Sequence, residues 1–216
     1  TNLPLISEAA KKKVPIILSS GMAYLSEISE AVNTCRKYQS NIAVLKCTSI
    51  YPAPITKLNL NGINKLKNIF KIPVGYSDHA IGIKPSIYSV AMGAKIVEKH
   101  FTLNKRQKGA DHKISIEPKE FKEMVGLIRE LEKIMGNDKL QPSKEEVISR
   151  NYYHRKIVAR TLIKKGEKIT KNNICLRRSY SKNKCIPLKY FFKIIGKKAA
   201  KNIKSEKILS MKDILK

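Results

Sequence analysis

Pro73-Val74-Gly75-Tyr76-Ser77-Asp78-His79 and, 21 residues further on, Ala94-Lys95-Ile96-Val97-Glu98-Lys99-His100 decide how this chain folds. Each is a short apolar run that passes into polar residues and ends on a histidine, the pattern of a buried strand that delivers side chains to a rim. Neighbouring strand ends are where α/β proteins gather ligands and catalysts. Two imidazoles presented in this way are able to grip one metal ion.

The same rhythm extends in both directions. Upstream, Val14-Pro15-Ile16-Ile17-Leu18 is a compact apolar run followed by the turn Ser19-Ser20-Gly21-Met22 and by Leu25, Ile28, Val32 and Cys35 at helical spacing. Ile42-Ala43-Val44-Leu45 repeats the strand, and Leu60, Ile63, Leu66 and Ile69 repeat the helix. Gly75 to Tyr76 leads to a helix around Pro85 to Met92. After a long polar loop, Glu117-Pro118 opens a helix through Phe121, Met124, Ile128, Leu131 and Met135, with the proline suitably placed in its first turn. Four βα units in succession predict a parallel sheet, either doubly wound or part of a (β/α)8 barrel, over residues 1–135. Every predicted strand is followed by small polar or ionisable residues, which places hydroxyls, imidazoles and carboxylates on one rim.

The rhythm changes beyond Met135. Residues 136–154 are polar, contain Pro142 and lack a core periodicity, so they read as a linker with room for a short helix at Ser143 to Ile148. Residues 155–216 carry short apolar pieces, Ile157-Val158-Ala159, Leu162-Ile163, Ile169, Ile174 and Ile194-Ile195, between Lys-Gly-Glu-Lys and Ser-Glu-Lys turns. That is the pattern of a small β-rich module near the lower size limit for an independent core.

The 216 residues hold 44 Lys and Arg against 17 Asp and Glu, a formal net charge of +27. Such an excess fits nucleic acid or an anionic surface. It equally fits an AT-rich coding sequence, since lysine, asparagine and isoleucine are all abundant and the lysines are scattered, and nucleic-acid binding is the minority reading. From Asn151 onward, twenty basic residues face three acidic ones, Glu167, Glu206 and Asp213. No apolar run approaches the roughly 18 residues of a membrane span. Cys35, Cys47, Cys175 and Cys185 form no CxxC pair, so reduced thiols in a cytoplasmic protein are expected. Thr1 to Val14 lacks the order of a secretory signal and begins without methionine, as an internal start would.

Leu18-Ser19-Ser20-Gly21-Met22, Cys47-Thr48-Ser49-Ile50-Tyr51-Pro52, Gly75-Tyr76-Ser77-Asp78-His79, Glu98-Lys99-His100-Phe101-Thr102 and Gly109-Ala110-Asp111-His112 follow in the order and spacing of the sialic acid synthase family, which the chain resembles. The last third resembles that family's antifreeze-like (SAF, β-clip) domain through Arg155 to Ala159, Ile163 to Glu167 and Ile195 to Ala199. Asp111-His112 and Ile116-Glu117-Pro118 are closer to N-acetylneuraminate and legionaminate synthases than to pseudaminate synthases.

The resemblance implies about four C-terminal βα units of a (β/α)8 barrel, then the SAF domain, in a domain-swapped homodimer. It implies a condensation of phosphoenolpyruvate with N-acetylmannosamine or a related N-acylated amino sugar, with release of phosphate. His79 and His100 would ligate a divalent metal, Mn2+ or Mg2+. Ser19 and Ser77 would hold the phosphate, and Ser49, where many relatives carry asparagine, and Tyr51 would line the pocket. Glu98 and Asp111 would face the sugar as the catalytic carboxylates. Arg178 would reach into the partner's active site, although Ser179-Tyr180 stands where the family has Pro-Gly. A whole barrel needs about 250 residues, whereas about 140 precede the small module. The half that carries the family's general acid/base glutamate and its phosphoenolpyruvate-binding lysines is therefore expected elsewhere. An inactive sugar-binding or assembly fragment and a basic nucleic-acid-binding protein are the alternative readings.

Overall fold

The computed structural model describes residues 1–38, 41–181 and 184–215. These fall into two compact units, Thr1–Asn137 and Asp138–Lys216.

The first unit is an α/β layer built on four parallel strands that lie side by side in chain order. They are β1 (Ile16–Ser19), β2 (Ile42–Cys47), β3 (Val74–Asp78) and β4 (Val97–Lys99). Helices α1 (Leu3–Lys11), α2 (Leu25–Arg36), α3 (Asn61–Phe70), α4 (Lys84–Ala91) and α5 (Pro118–Met135) surround them. Helix α1 is an addition to the periodicities read above. It is short, and it begins where the Asn2 side chain accepts the Leu5 N–H at 3.2 Å, with Pro4 in its first turn. Its single fully buried residue, Ala10, packs with Cys35 and Ile42.

Strand alternation sorts the side chains. Val44, Val74 and Tyr76 face the helices and join Val32, Ile63, Leu66, Phe70 and Ala94 in the main core of the unit. The intervening residues face the other way, in a register that sets Leu45 beside Gly75 and Cys47 beside Ser77 beside Glu98. Gly75 is needed for closeness: a Cβ there would stand 2.5 Å from the Ile96 carbonyl oxygen and 2.5 Å from Leu45 Cδ2. Because one of those neighbours is backbone, at the residue just before β4, Gly75→Ala is expected to cost the first unit about 2–3 kcal/mol by overpacking. Urea unfolding followed by circular dichroism measures it, and an unchanged midpoint would show that β3 and β4 separate freely.

Helix α5 starts where the Glu117 N–H donates to Glu120 Oε2 at 2.9 Å, a reciprocal cap with Pro118 in the first turn. In the second unit, α6 (Lys144–Tyr153) is capped by Ser143, whose Oγ accepts the Glu146 N–H at 3.1 Å. It takes up much of the stretch whose composition reads as linker and extends to Tyr153, beyond the Ser143–Ile148 segment.

The second unit then pairs β5 (Arg155–Ala159) with β6 (Ile174–Arg178) in antiparallel fashion, followed by the one-turn helix α7 (Phe191–Ile194). Single bridges join Val158 to Ile208, Ile163 to Ile203, Lys168 to Lys198 and Ala199 to Ile214. Its core is aliphatic: Ile157, Ile163, Ile169, Ile174, Ile203 and Leu209 are all essentially inaccessible. Two stretches of this unit repeat one another, Ile163 to Ile174 and Ile203 to Ile214. Buried Ile169 matches buried Leu209. Gly166 and Glu206 both adopt positive φ, 82° and 66°. Asn173 accepts the Thr170 N–H as Asp213 accepts the Ser210 N–H, each at 2.8 Å.

Candidate functional site

The rim where β2, β3 and β4 end carries a cluster of rings and hydroxyls. His79 and His100, one residue beyond β3 and β4 respectively, have ring centroids 5.2 Å apart at an interplanar angle of 63°. Tyr51, on the loop after β2, lies against both, 4.3 Å from His79 and 5.8 Å from His100. Alternation explains the grouping. Ser77 and Glu98 pair in register on the face turned away from the helices, and His79 and His100 are the next residues of the same parity.

His79 is 7% exposed, and its Nδ1 lies 3.1 Å from the Thr48 carbonyl oxygen. A carbonyl only accepts, so Nδ1 carries the proton and Nε2 keeps its lone pair, the tautomer that suits a metal ligand. This is the outer-shell arrangement expected of a ligating histidine. Cys47 Sγ sits 3.6 Å from the same Nδ1 and 3.3 Å from Ser49 Oγ. Gly21 closes this corner, where a Cβ would fall 2.0 Å from Ser49 Oγ. Across the rim, Ser77 Oγ donates to Glu98 Oε1 at 2.6 Å.

Asp111 Oδ2 stands 3.7 Å from His100 Nδ1, too long for a hydrogen bond. Asp111 comes from the polar loop after β4, which is pinned where Thr102 Oγ1 and His112 Nδ1 meet at 2.8 Å. Among the described residues, no group of three or more His, Cys, Asp or Glu side chains forms a closed metal cage. The donor set available is therefore two imidazoles, which would leave most positions of a cation to water or oxygen ligands, an open site.

Of the residues singled out from the sequence, Ser49, Tyr51, Ser77, His79, Glu98, His100 and Asp111 share this neighbourhood. Ser19 ends β1 with its side chain exposed, beside Leu45 in register. It is the next residue, Ser20, that ties the strands together: its Oγ accepts the Cys47 N–H at 3.2 Å, and its own N–H donates to the Leu45 carbonyl at 3.0 Å. Arg178 ends β6 in the second unit and is exposed. The sequence reading missed Asp78 and Lys99, an ion pair at 3.1 Å with side-chain exposures of 0% and 2%. Burial pulls the Lys99 ammonium below its ordinary range while Asp78 acts against that shift. No local signal marked the pair, because its two charges meet only in the register of β4 on β3.

Residues 1–140 match the profile of the NeuB family. The N,N'-diacetyllegionaminic acid synthase of Campylobacter jejuni is 42% identical over 97% of this chain and 63% of its own length. Two crystal structures are also similar. The N-acetylneuraminic acid synthetase of Leptospira borgpetersenii, in complex with citrate, is 40% identical over 69% of this chain and 54% of its own, with a TM-score of 0.66. A spore coat polysaccharide biosynthesis protein E of Chromobacterium violaceum, at 22% identity, aligns over 100% of this chain and 65% of its own with a TM-score of 0.81, a likeness of fold. The chain spans less than two thirds of the length of the curated relatives it matches.

Proposed function

This chain belongs to the NeuB family, among whose members similar to it are legionaminic, pseudaminic and N-acetylneuraminate-9-phosphate synthases, and from that premise we propose that it carries the metal-binding half of a nonulosonic acid synthase site. The proposed reaction joins phosphoenolpyruvate to an N-acylated amino sugar and releases phosphate. The observation that carries this reading is the His79–His100 pair, 5.2 Å between ring centroids, with the Thr48 carbonyl holding the His79 proton on Nδ1.

His79 and His100 would hold a divalent cation, Mn2+ or Mg2+. Bound there, such a cation supplies Lewis-acid polarisation of the sugar's aldehyde oxygen. Ser19 and Ser77 are assigned to the phosphate. Ser77 now directs its hydroxyl hydrogen at Glu98, so it must turn to donate to an anion, and Glu98 is then released toward the sugar. Asp111, largely exposed at 63%, is the second sugar-facing carboxylate. Ser49 and Tyr51 line the pocket, where the Tyr51 ring lies against both histidines. In the reaction, C3 of phosphoenolpyruvate bonds to the aldehyde carbon, water adds at C2, and the C–O bond to phosphate breaks. The second unit is assigned as an antifreeze-like SAF domain that brings Arg178 to the partner's site in a swapped homodimer. Four parallel strands leave open edges at β1 and β4, a liability that a complementary half-barrel removes.

Joined to the N-terminal third of the Campylobacter jejuni relative, the chain is expected to release phosphate from phosphoenolpyruvate only with the amino sugar and a divalent cation present. Full turnover after chelation would defeat the metal assignment, and sugar binding without turnover would favour a binding fragment.

A further inference from the structure

The two candidate ligands stand next to two buried charges. Lys99 immediately precedes His100, and Asp78 immediately precedes His79; the pair occupies the last register position of the β3–β4 ladder. Lys99 Nζ meets Asp78 Oδ2 at 3.1 Å and also donates to the Ala80 carbonyl. One ammonium thus holds the residue before His79 and the residue after it, from the position next to His100. The Asp78 carboxylate is saturated by further donors, the Ala80 N–H at 2.9 Å, the Ser86 hydroxyl at 2.6 Å and the Tyr76 hydroxyl at 3.4 Å.

Stability alone does not account for this arrangement. A buried ion pair is on average no better than an apolar pair of the same volume, and its best-attested use is to fix register. Register is what β4 lacks on its own, since it has three residues and three register pairs with β3. A slip of one residue would turn His100 to the helix-facing side, away from His79. Beyond the last register pair, no backbone hydrogen bond among the described residues joins His79 to His100.

We propose that Lys99 and Asp78 are positioning residues that fix the separation of the His79 and His100 imidazoles, working from the opposite face of the sheet. The inference rests on the metal reading above for its consequence, although the imidazole geometry is testable without metal.

The decisive comparison uses the double variant Asp78→Leu/Lys99→Met in the full chain, which replaces the ion pair by apolar side chains of similar volume. It is expected to melt close to the wild type and to bind Mn2+ about 10–100-fold more weakly, the range for loss of an outer-shell partner; electron paramagnetic resonance of free Mn2+ reads the affinity. In metal-free protein, imidazole nitrogen correlation spectra should lose the fixed Nδ1-protonated signature of His79 and the contact between the two rings. Wild-type Mn2+ affinity or an unchanged imidazole spectrum in a folded double variant would overturn the inference. Absence of Mn2+ binding by the wild type would overturn the metal reading instead, leaving the imidazole spectra to decide the positioning role. If the double variant fails to fold, Asp78→Asn, which keeps the volume and an acceptor for the Ala80 N–H, undergoes the same two measurements with the same deciding outcomes.

Discussion

Asp213→Ala is expected to destabilise the second unit by about 3 kcal/mol, a drop of roughly 10–20 °C in its melting temperature. Asp213 is completely buried. Its Oδ1 accepts Lys207 at 2.6 Å and Lys201 at 3.3 Å, and its Oδ2 accepts both the N–H and the hydroxyl of Ser210 at 2.8 Å. Alanine would orphan the Ser210 donors in the interior, whereas the two partly exposed lysines can turn to water, which keeps the cost below that of breaking a fully buried pair. Burial by itself would raise the Asp213 carboxyl, but the lysines and Ser210 outweigh it and hold it at about 2, below its ordinary 3.8. A folded-state value below the unfolded one stabilises at pH above about 4, and the contribution disappears as pH falls from about 4 towards 2. Thermal melts at pH 7 should therefore separate wild type from Asp213→Ala, and the gap should narrow in acid. Equal melting temperatures at pH 7 would show that the buried carboxylate contributes nothing net.

His79→Ala and His100→Ala are each expected to weaken Mn2+ binding by at least about 100-fold, more than the about 10–100-fold that loss of a ligand's partner costs. The reason is the thinness of the protein's share of the site. With two imidazoles available and no larger donor cluster among the described residues, removing either leaves a single histidine, which water outcompetes. The two variants should separate in stability. His79 is buried and bonded to the Thr48 carbonyl, so its loss also strips a support from the loop after β2. His100 is more open, with a quarter of its side chain accessible, and its replacement should leave melting nearly unchanged. Equal Mn2+ affinity in wild type and both variants, by electron paramagnetic resonance, would remove these histidines from the metal site.

The parallel sheet was legible because β1 and β2 open on apolar runs and all four strand segments end in polar turn residues, at a spacing that leaves room for a helix between them. Helix α1 was not read because it is only nine residues long and buries only Ala10 fully, too short a segment to stand out as a helix in its own right. The histidine pair stood out because both residues follow strands at matching positions. The Ser77–Glu98 and Asp78–Lys99 pairs did not, since a bond across two strands depends on their register. The repeat of Ile163–Ile174 in Ile203–Ile214 escaped notice because isoleucine and lysine dominate both copies and mask the equivalence of Asn173 and Asp213. Only their matching hydrogen bonds to Thr170 and Ser210 made it visible.

By itself the sequence determined the succession of βα units, the change to a small β-rich unit, and the residue types presented at each strand end. These follow from apolar periodicity and turn chemistry, which are local. The tertiary structure decided which of those residues meet. It set Glu98 against Ser77, turned the His79 proton to the Thr48 carbonyl, and placed Lys99 between Asp78 and Ala80. Such choices depend on strand register and on where a buried charge finds its partner, and both are settled only when distant segments pack.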